Sequence, residues 1–507
     1  MQLLRVGLPA LVAIGLYLAG INLLGAWLGR GQRSAGDYFL GHRAMPWWAV
    51  MASVVATETS ALTFLSVPGD AYRSGFAFLQ LTLGYLVGRV VVAFLLLPAY
   101  FRGELPTAYA LLESRFGVAT RRFASLVFMV TRVMAASVRL AVPAIPIALM
   151  LGIPVWAAIL ILAAGTALYT YLGGIRAVIW IDLIQVLVYL SGAGIALWAL
   201  AQAIPGGLGP LVASRAGTLF DLSSDPSRPY TLWAGLLGGA FLAMASHGAD
   251  QLIVQRLLAC RSLRDARRAL VGSGLAVIVQ FSLFLTIGIA LSSFFGGRPV
   301  DTTAANPLAF RSTDEIFPAF IVGHLPPLLS AWLVAGIFSA AMCSESSALN
   351  SLASALAHDI VAPVLGGRAI EGRRGLWLGR LLTLLWTLVL AALSVGFSRL
   401  GQGEPAVQVA LGLASVTAGG LLGAFLIGLL QRRARQRDVL LGIATSVVLM
   451  LAVWLDSRGW LPGGPGLGIA WPWYSLLGCA IAFAVAALSS LLRRPSSDSA
   501  RVLRSNP

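Results

Sequence analysis

The sequence contains no lysine, only three cysteines and very little charge, with 11% of its 507 residues Asp, Glu, Lys or Arg. A soluble chain of this length carries roughly a quarter charged residues and divides into about three domains, so a water-soluble multidomain protein is excluded. Cys260, Cys343 and Cys479 stand far apart, in or beside apolar segments. That spacing excludes a disulfide framework and a metal-spaced cysteine cluster. Polar stretches long enough for a soluble catalytic domain are also missing. No nucleophile–base pair, metal-ligand spacing or phosphate loop lies at a common depth, which removes support for a membrane enzyme. The polar tail at 493 to 507 is too short for a fused signalling domain, and a membrane sensor is not expected.

What is present is hydrophobic sequence, 58% of the chain. Apolar runs near 20 residues recur from end to end, each long enough to cross a hydrocarbon core. The expected spans are 7 to 28, 45 to 66, 77 to 100, 120 to 150, 153 to 172, 177 to 203, 230 to 256, 268 to 296, 326 to 357, 375 to 397, 405 to 430, 438 to 456 and 471 to 492. The first run, Leu8 to Leu28, reads as a retained span and not a signal peptide, because it lacks a basic leading region beyond Arg5 and is followed by Arg30 and Arg33. The formal net charge of +16 comes from arginine alone, and these residues follow the membrane instead of forming one nucleic-acid-binding patch. Most fall in loops that alternate spans would place on one side, including Arg102, Arg115, Arg121, Arg122, Arg176, Arg256 to Arg268, Arg368 to Arg374 and Arg432 to Arg437. By the positive-inside rule that side is cytoplasmic. The expected fold is therefore an all-α polytopic membrane protein of about thirteen helices, N-terminus outside and C-terminus inside, in contact with membrane lipid.

Ionisable groups inside a bilayer are costly and mark a pathway or site by default. Four carboxylates qualify: Glu58, Asp182, Asp250 and Glu345. Asp250, near a cytoplasmic end beside Gln251 and Arg256, reads equally as interfacial pairing. The densest polar cluster is Ser339-Ala-Ala-Met-Cys-Ser-Glu-Ser-Ser-Ala-Leu-Asn350-Ser351, where helical spacing aligns Ser344, Ser347 and Ser351 on one face. Hydroxyl and carbonyl oxygens are hard, neutral ligands suited to sodium. Small residues also let membrane helices approach closely, so the same cluster reads as packing. Arg89, Arg132 and Arg139 need partners; Arg139 either pairs with Glu58 or Glu345 or holds a solute carboxylate through its planar fork. The spans containing Ala52 to Thr63 and Ala243 to Gln251 are both interrupted by small and polar residues, five spans apart. Transporters with inverted repeats place broken helices at such corresponding positions.

The chain resembles the sodium/solute symporters, carriers of sugars, sialic acid, proline, iodide and monocarboxylates. The resemblance rests on Ser60-Ala-Leu-Thr-Phe-Leu-Ser-Val-Pro-Gly-Asp-Ala-Tyr72, Pro98-Ala-Tyr-Phe-Arg102 followed by Thr107-Ala-Tyr-Ala-Leu-Leu-Glu-Ser-Arg-Phe-Gly117, Gly173-Gly-Ile-Arg-Ala-Val-Ile-Trp-Ile-Asp-Leu-Ile-Gln185, Asp250-Gln-Leu-Ile-Val-Gln-Arg256 and Ser346-Ser-Ala-Leu-Asn-Ser351. It implies a LeuT-type core of two inverted five-helix repeats: a leading helix and loop at 1–44, a core at 45–430 with repeats 45–203 and 230–430, two trailing helices at 431–492, and a cytoplasmic tail. It also implies sodium-coupled symport of a small polar solute (a sugar, sialic acid or a carboxylate) by alternating access, in a multi-pass plasma or inner membrane protein. A proton-coupled or sodium-independent carrier of the same fold is the alternative. One sodium is implied at the carbonyls of Ala56, Thr59 and Ala340 with side chains of Cys343 and Ser344; Cys343 departs from the usual hydroxyl. Some members of that family hold a second sodium, for which Asp182, Ser346 and Ser347 stand in the matching positions. Solute contacts are implied at Glu58, Ser60, Thr63, Gln80, Arg139 and His247, with Glu345 as a possible coupling carboxylate.

Overall fold

A backbone in hydrocarbon finds no water to pair with, and the α-helix satisfies its N–H and C=O groups locally. The computed structural model describes residues 7–103, 105–301, 306, 309–366, 370–399, 406–461, 464 and 466–492, and these are helical almost throughout. The main helices are α1 (Leu8–Leu28), α2 (Trp47–Glu58), α3 (Ala61–Ser74), α4 (Leu79–Leu95), α5 (Val118–Leu151), α6 (Val155–Ala203), α7 (Gly239–Gly248), α8 (Gln251–Leu258), α9 (Leu263–Phe294), α10 (Pro327–Ala355), α11 (Gly372–Phe397), α12 (Ala406–Leu430), α13 (Gln436–Ser457) and α14 (Tyr474–Leu492). The expected tail at 493 to 507 lies outside the described residues.

Among the described residues, ten helices are long and apolar enough to cross a membrane, and the pair α2–α3, bent by 61°, brings the number to eleven. The difference from the thirteen expected spans arises at two places. The expected spans 153 to 172 and 177 to 203 follow one another within α6, 49 residues in which Gly174 alone is non-helical and divides two helical stretches. Its stretches before and after Gly174, 155–173 and 175–203, are about 28 Å and about 43 Å long at 1.5 Å per residue, each close to or beyond the thickness of a hydrocarbon core. Its course changes at Gly174, whose φ of 54° and ψ of −158° no L side chain adopts readily. A Cβ there would also lie 2.5 Å from the Tyr38 carbonyl oxygen. The expected span 230 to 256 is delivered as a π-helical turn (Ala234–Gly238) followed by α7 and α8, each too short to cross alone.

Leu16, Leu23, Val279, Leu328 and Leu388 are exposed on the outside of the bundle, where lipid would cover them. The middle is held by α10, buried from Leu333 to Ala355 and packed along α6. Its Ala and Ser residues keep the two backbones close. Gly84 and Gly88 do the same for α4, since Cβ atoms there would come within 2.1 Å of the Gly235 carbonyl oxygen and 2.3 Å of that of Ala240.

Two breaks shape the interior. Thr59 leaves the helix at ψ 89° and Ser60 is extended at ψ 171°. The Ser60 N–H then reaches back to Glu58 instead of Ala56, so the Ala56 carbonyl loses its helical donor. Between α7 and α8, Asp250 is extended and its carboxylate caps the Leu252 N–H at 2.9 Å. The Gly248 carbonyl, freed by that break, accepts from the Tyr100 hydroxyl.

Candidate functional site

The first break aims carbonyls at α10. Cys343, fully buried, points its thiol at three of them: Sγ lies 3.0 Å from the Ala56 oxygen, 3.4 Å from that of Ala340 and 3.8 Å from that of Thr59. Four of the five groups expected around the first sodium thus meet at one point. Ser344, the fifth, donates its hydroxyl to the Ala341 carbonyl of its own helix at 3.0 Å. The Thr59 side chain is fixed from behind, its hydroxyl accepting from Gln280, whose carbonyl oxygen accepts from Tyr189 at 3.1 Å.

One turn farther along α10 lies the group expected to hold a second sodium. Asp182 and Ser347 are brought together, but around a guanidinium. Arg256, wholly buried in α8, donates to Asp182 at 3.3 Å, to the Ser53 hydroxyl at 2.9 Å and to Ser347. Ser53 in turn donates to Asp182 at 2.6 Å. Ser346 turns its hydroxyl to the Cys343 carbonyl at 3.1 Å. Arg256 was expected in a cytoplasmic loop; the short, amphipathic α8 instead carries it inward, among Asp182 and the hydroxyls of Ser53 and Ser347.

A cavity of about 110 Å³ opens beside the α2–α3 break, lined by Glu58, Ser60, Thr63, Arg132, Arg139, His247 and Asp250 together with Phe78, Tyr85, Phe128 and Phe281. It is several times the volume one ordered water needs. Glu58 pairs with Arg89, a fully buried arginine of α4, and not with Arg139. Arg89 Nε also donates to His247 Nε2 at 3.2 Å. An arginine nitrogen can only donate, so His247 is neutral with its proton on Nδ1, facing the Ala243 carbonyl at 3.1 Å and the Ser246 hydroxyl at 2.8 Å. Asp250, expected near an interface, lines the cavity and pairs with Arg132.

Arg139 is left over. It has no ion-pair or hydrogen-bond partner among the described residues, and its Nε is buried without one. The carboxylates of the cavity are each matched by another arginine, so Arg139 gives the lining one unbalanced positive charge. Pro143 follows it by one turn in α5; lacking an N–H, it leaves the Arg139 carbonyl without its helical donor.

Two expected site residues lie elsewhere. Gln80 is fully buried and ties an outer loop, donating to the Ala77 and Tyr230 carbonyls at 3.2 Å and 3.1 Å and accepting from the Asp221 N–H at 3.1 Å. Its amide is saturated by backbone, and it does not line the cavity. Glu345 is buried in α10 with Oε1 unpartnered among the described residues, and it is not part of the cavity wall. Neither Arg139 nor any other arginine pairs with it there.

A family model described as the sodium:solute symporter family matches residues 38–445. The human sodium/iodide cotransporter is 30% identical over an alignment covering 87% of this chain and 68% of its own length. The sodium/sialic acid symporter of Proteus mirabilis is 28% identical, covering 86% and 87%, and a sodium-coupled monocarboxylate transporter of Xenopus laevis is 26% identical, covering 92% and 74%. Among solved structures, a substrate-bound, outward-open Na⁺-coupled sialic acid symporter matches with a TM-score of 0.83 at 26% identity, covering 96% of this chain and 99% of that one. A transporter of the nucleobase-cation-symport family in a closed conformation shares the fold, with a TM-score of 0.54 at 12% identity over 90% and 93% of the two chains.

Proposed function

Because this chain belongs to the sodium:solute symporter family, and is a sodium-coupled secondary transporter of the plasma or inner membrane, we propose that its solute is a small organic anion held through a carboxylate by Arg139. The observation that carries this reading is the unbalanced guanidinium. Arg139 is the one cavity-lining arginine without a carboxylate partner among the described residues, and burying an unpaired charge is costly unless a ligand completes the pair. A carboxylate would complete it with two parallel N–H···O bonds. Sialic acid and the monocarboxylates, named for two of the relatives, carry such a group.

The coupling ion would bind where the carbonyls of Ala56, Thr59 and Ala340 converge, with Ser344 turning in to add its hydroxyl and the Cys343 thiol moving aside or serving as a poor fifth ligand. The site touches both the broken α2–α3 element and α10, so an ion there would favour one relative placement of the two. The break also forms one wall of the cavity, through Glu58, Ser60 and Thr63, and this gives ion and solute a shared element to bias. Linkage then requires each to raise the affinity of the other by the same factor.

We read the topology as thirteen crossings, with α6 counted twice at Gly174 and the π-turn, α7 and α8 counted as one broken span. The N-terminus lies outside and the C-terminus inside, and the core runs from 45 to 430 as two inverted repeats. Uptake into proteoliposomes of carboxylates beside their amides and neutral polyol analogues tests the solute reading. Arg139→Gln is expected to lose about 1.5–3 kcal/mol of solute binding, roughly tenfold to a hundredfold in half-saturating concentration. Equal transport of neutral analogues by the unaltered protein would overturn it.

A further inference from the structure

Asp182, Ser346 and Ser347 stand where some members of the family hold a second sodium, and the residues there do not fit one. We propose that Arg256 is a tethered cation standing in for that ion, so that the transporter binds and carries a single sodium per cycle. The proposal rests on the symporter reading but not on the identity of the solute.

The arrangement is a built site. Arg256, Asp182, Ser53 and Ser347 are all fully buried, and the guanidinium uses all three of its nitrogens: Nε on Ser53, Nη1 on the Leu252 carbonyl at 2.9 Å, and Nη2 on Asp182 and Ser347. Asp182 Oδ2 is shared between that guanidinium and the Ser53 hydroxyl. Ser347 sits 2.9 Å from the Thr57 hydroxyl and gives its own proton to the Cys343 carbonyl at 2.5 Å. Only Asp182 Oδ1 is left without a partner. A hard cation needs several oxygens at once, and one free oxygen beside a fixed positive charge does not supply them. The charge of Asp182 is already balanced, and a sodium would meet repulsion from the guanidinium at close range.

The four residues sit on α2, α6, α8 and α10, so the bound guanidinium joins both broken elements to the two long helices they face. An ion that dissociates leaves with the cycle; an arginine remains attached, and so contributes charge to the site without adding to the ions moved. When α8 shifts against α6 and α10, Arg256 leaves Asp182 without any ion crossing the membrane.

Counting ions tests this without knowing the solute. Equilibrium binding of radiolabelled sodium to the purified full chain should give one ion per chain with a Hill coefficient near one. Arg256→Gln, freeing the Asp182 carboxylate, should raise the count to two. Asp182→Asn should leave it at one, and so should the doubly neutral Arg256→Gln/Asp182→Asn protein, which keeps the site uncharged where a single change compromises folding. Two ions bound by the unaltered protein, or a count that falls when Asp182 is neutralised, would overturn the proposal. Absence of any sodium binding would instead overturn the coupling assignment on which it rests.

Discussion

At the scale of the residue, Cys343 is the most consequential departure. Its sulfur stands amid three carbonyl oxygens that a hydroxyl would complete as a sodium cage, and sulfur is a soft ligand for a hard ion. Cys343→Ser should strengthen sodium binding by about 1 kcal/mol, the scale of one polar contact, which lowers the half-saturating sodium concentration about fivefold. Sodium dependence of uptake in the two proteins measures it, and an unchanged or raised concentration would remove Cys343 from the site. Glu58 has a different role. With its partner Arg89 buried against it, Glu58→Gln leaves an uncompensated charge and should cost about 3–5 kcal/mol of stability. Melting of the purified protein should show a lower midpoint, partly restored when Arg89→Gln is added; no recovery would mean that the pair is not the cause. The candidate polar residues were legible because each is costly at its depth. Their partners were not, since Glu58 with Arg89, Arg132 with Asp250 and Asp182 with Arg256 are joined by tertiary packing that no local spacing encodes. Gln80 shows the reverse: the resemblance implies a solute contact there, whereas two backbone carbonyls and one N–H take up its amide.

At the scale of the element, the site depends on helices that stop. The interruptions at Ala52 to Thr63 and Ala243 to Gln251 were visible as runs of small and polar residues inside apolar sequence, and the chain breaks at Thr59–Ser60 and Ala249–Asp250 within them. Long apolar runs located the other spans to within a few residues. The break at Gly173-Gly174 was legible as a glycine pair between apolar runs; its brevity was not, because Gly174 alone leaves the helical conformation. Gly174→Ala places a side chain at positive φ, 2.5 Å from the Tyr38 carbonyl. It should lower the melting midpoint more than Gly194→Ala in the same helix, where a Cβ meets nothing within 4 Å. Equal melting of the two variants would show that the turn at 174 is not under that constraint. Gly88→Leu should separate α4 from α7 and displace Arg89 from His247, reducing solute uptake with protein yield as the control.

At the scale of the whole molecule, the proposed reading has two cargoes meeting at one broken helix. The α2–α3 break offers backbone oxygens toward α10 on one side and Glu58, Ser60 and Thr63 toward the cavity on the other, so occupancy of either site constrains the same few residues. That shared element is the physical basis for coupling. With one sodium per monoanionic solute the cycle would move no net charge, so the inward sodium concentration gradient alone would drive accumulation, about 1.4 kcal/mol for each tenfold ratio. The measurement that bears most directly on this account is solute uptake into proteoliposomes with and without an imposed inward sodium gradient, using carboxylate solutes. The account predicts accumulation above equilibrium only with the gradient, with Arg139→Gln needing roughly tenfold to a hundredfold more solute for half-maximal uptake. Uptake indifferent to sodium, or a half-saturating concentration unchanged by loss of Arg139, would contradict it.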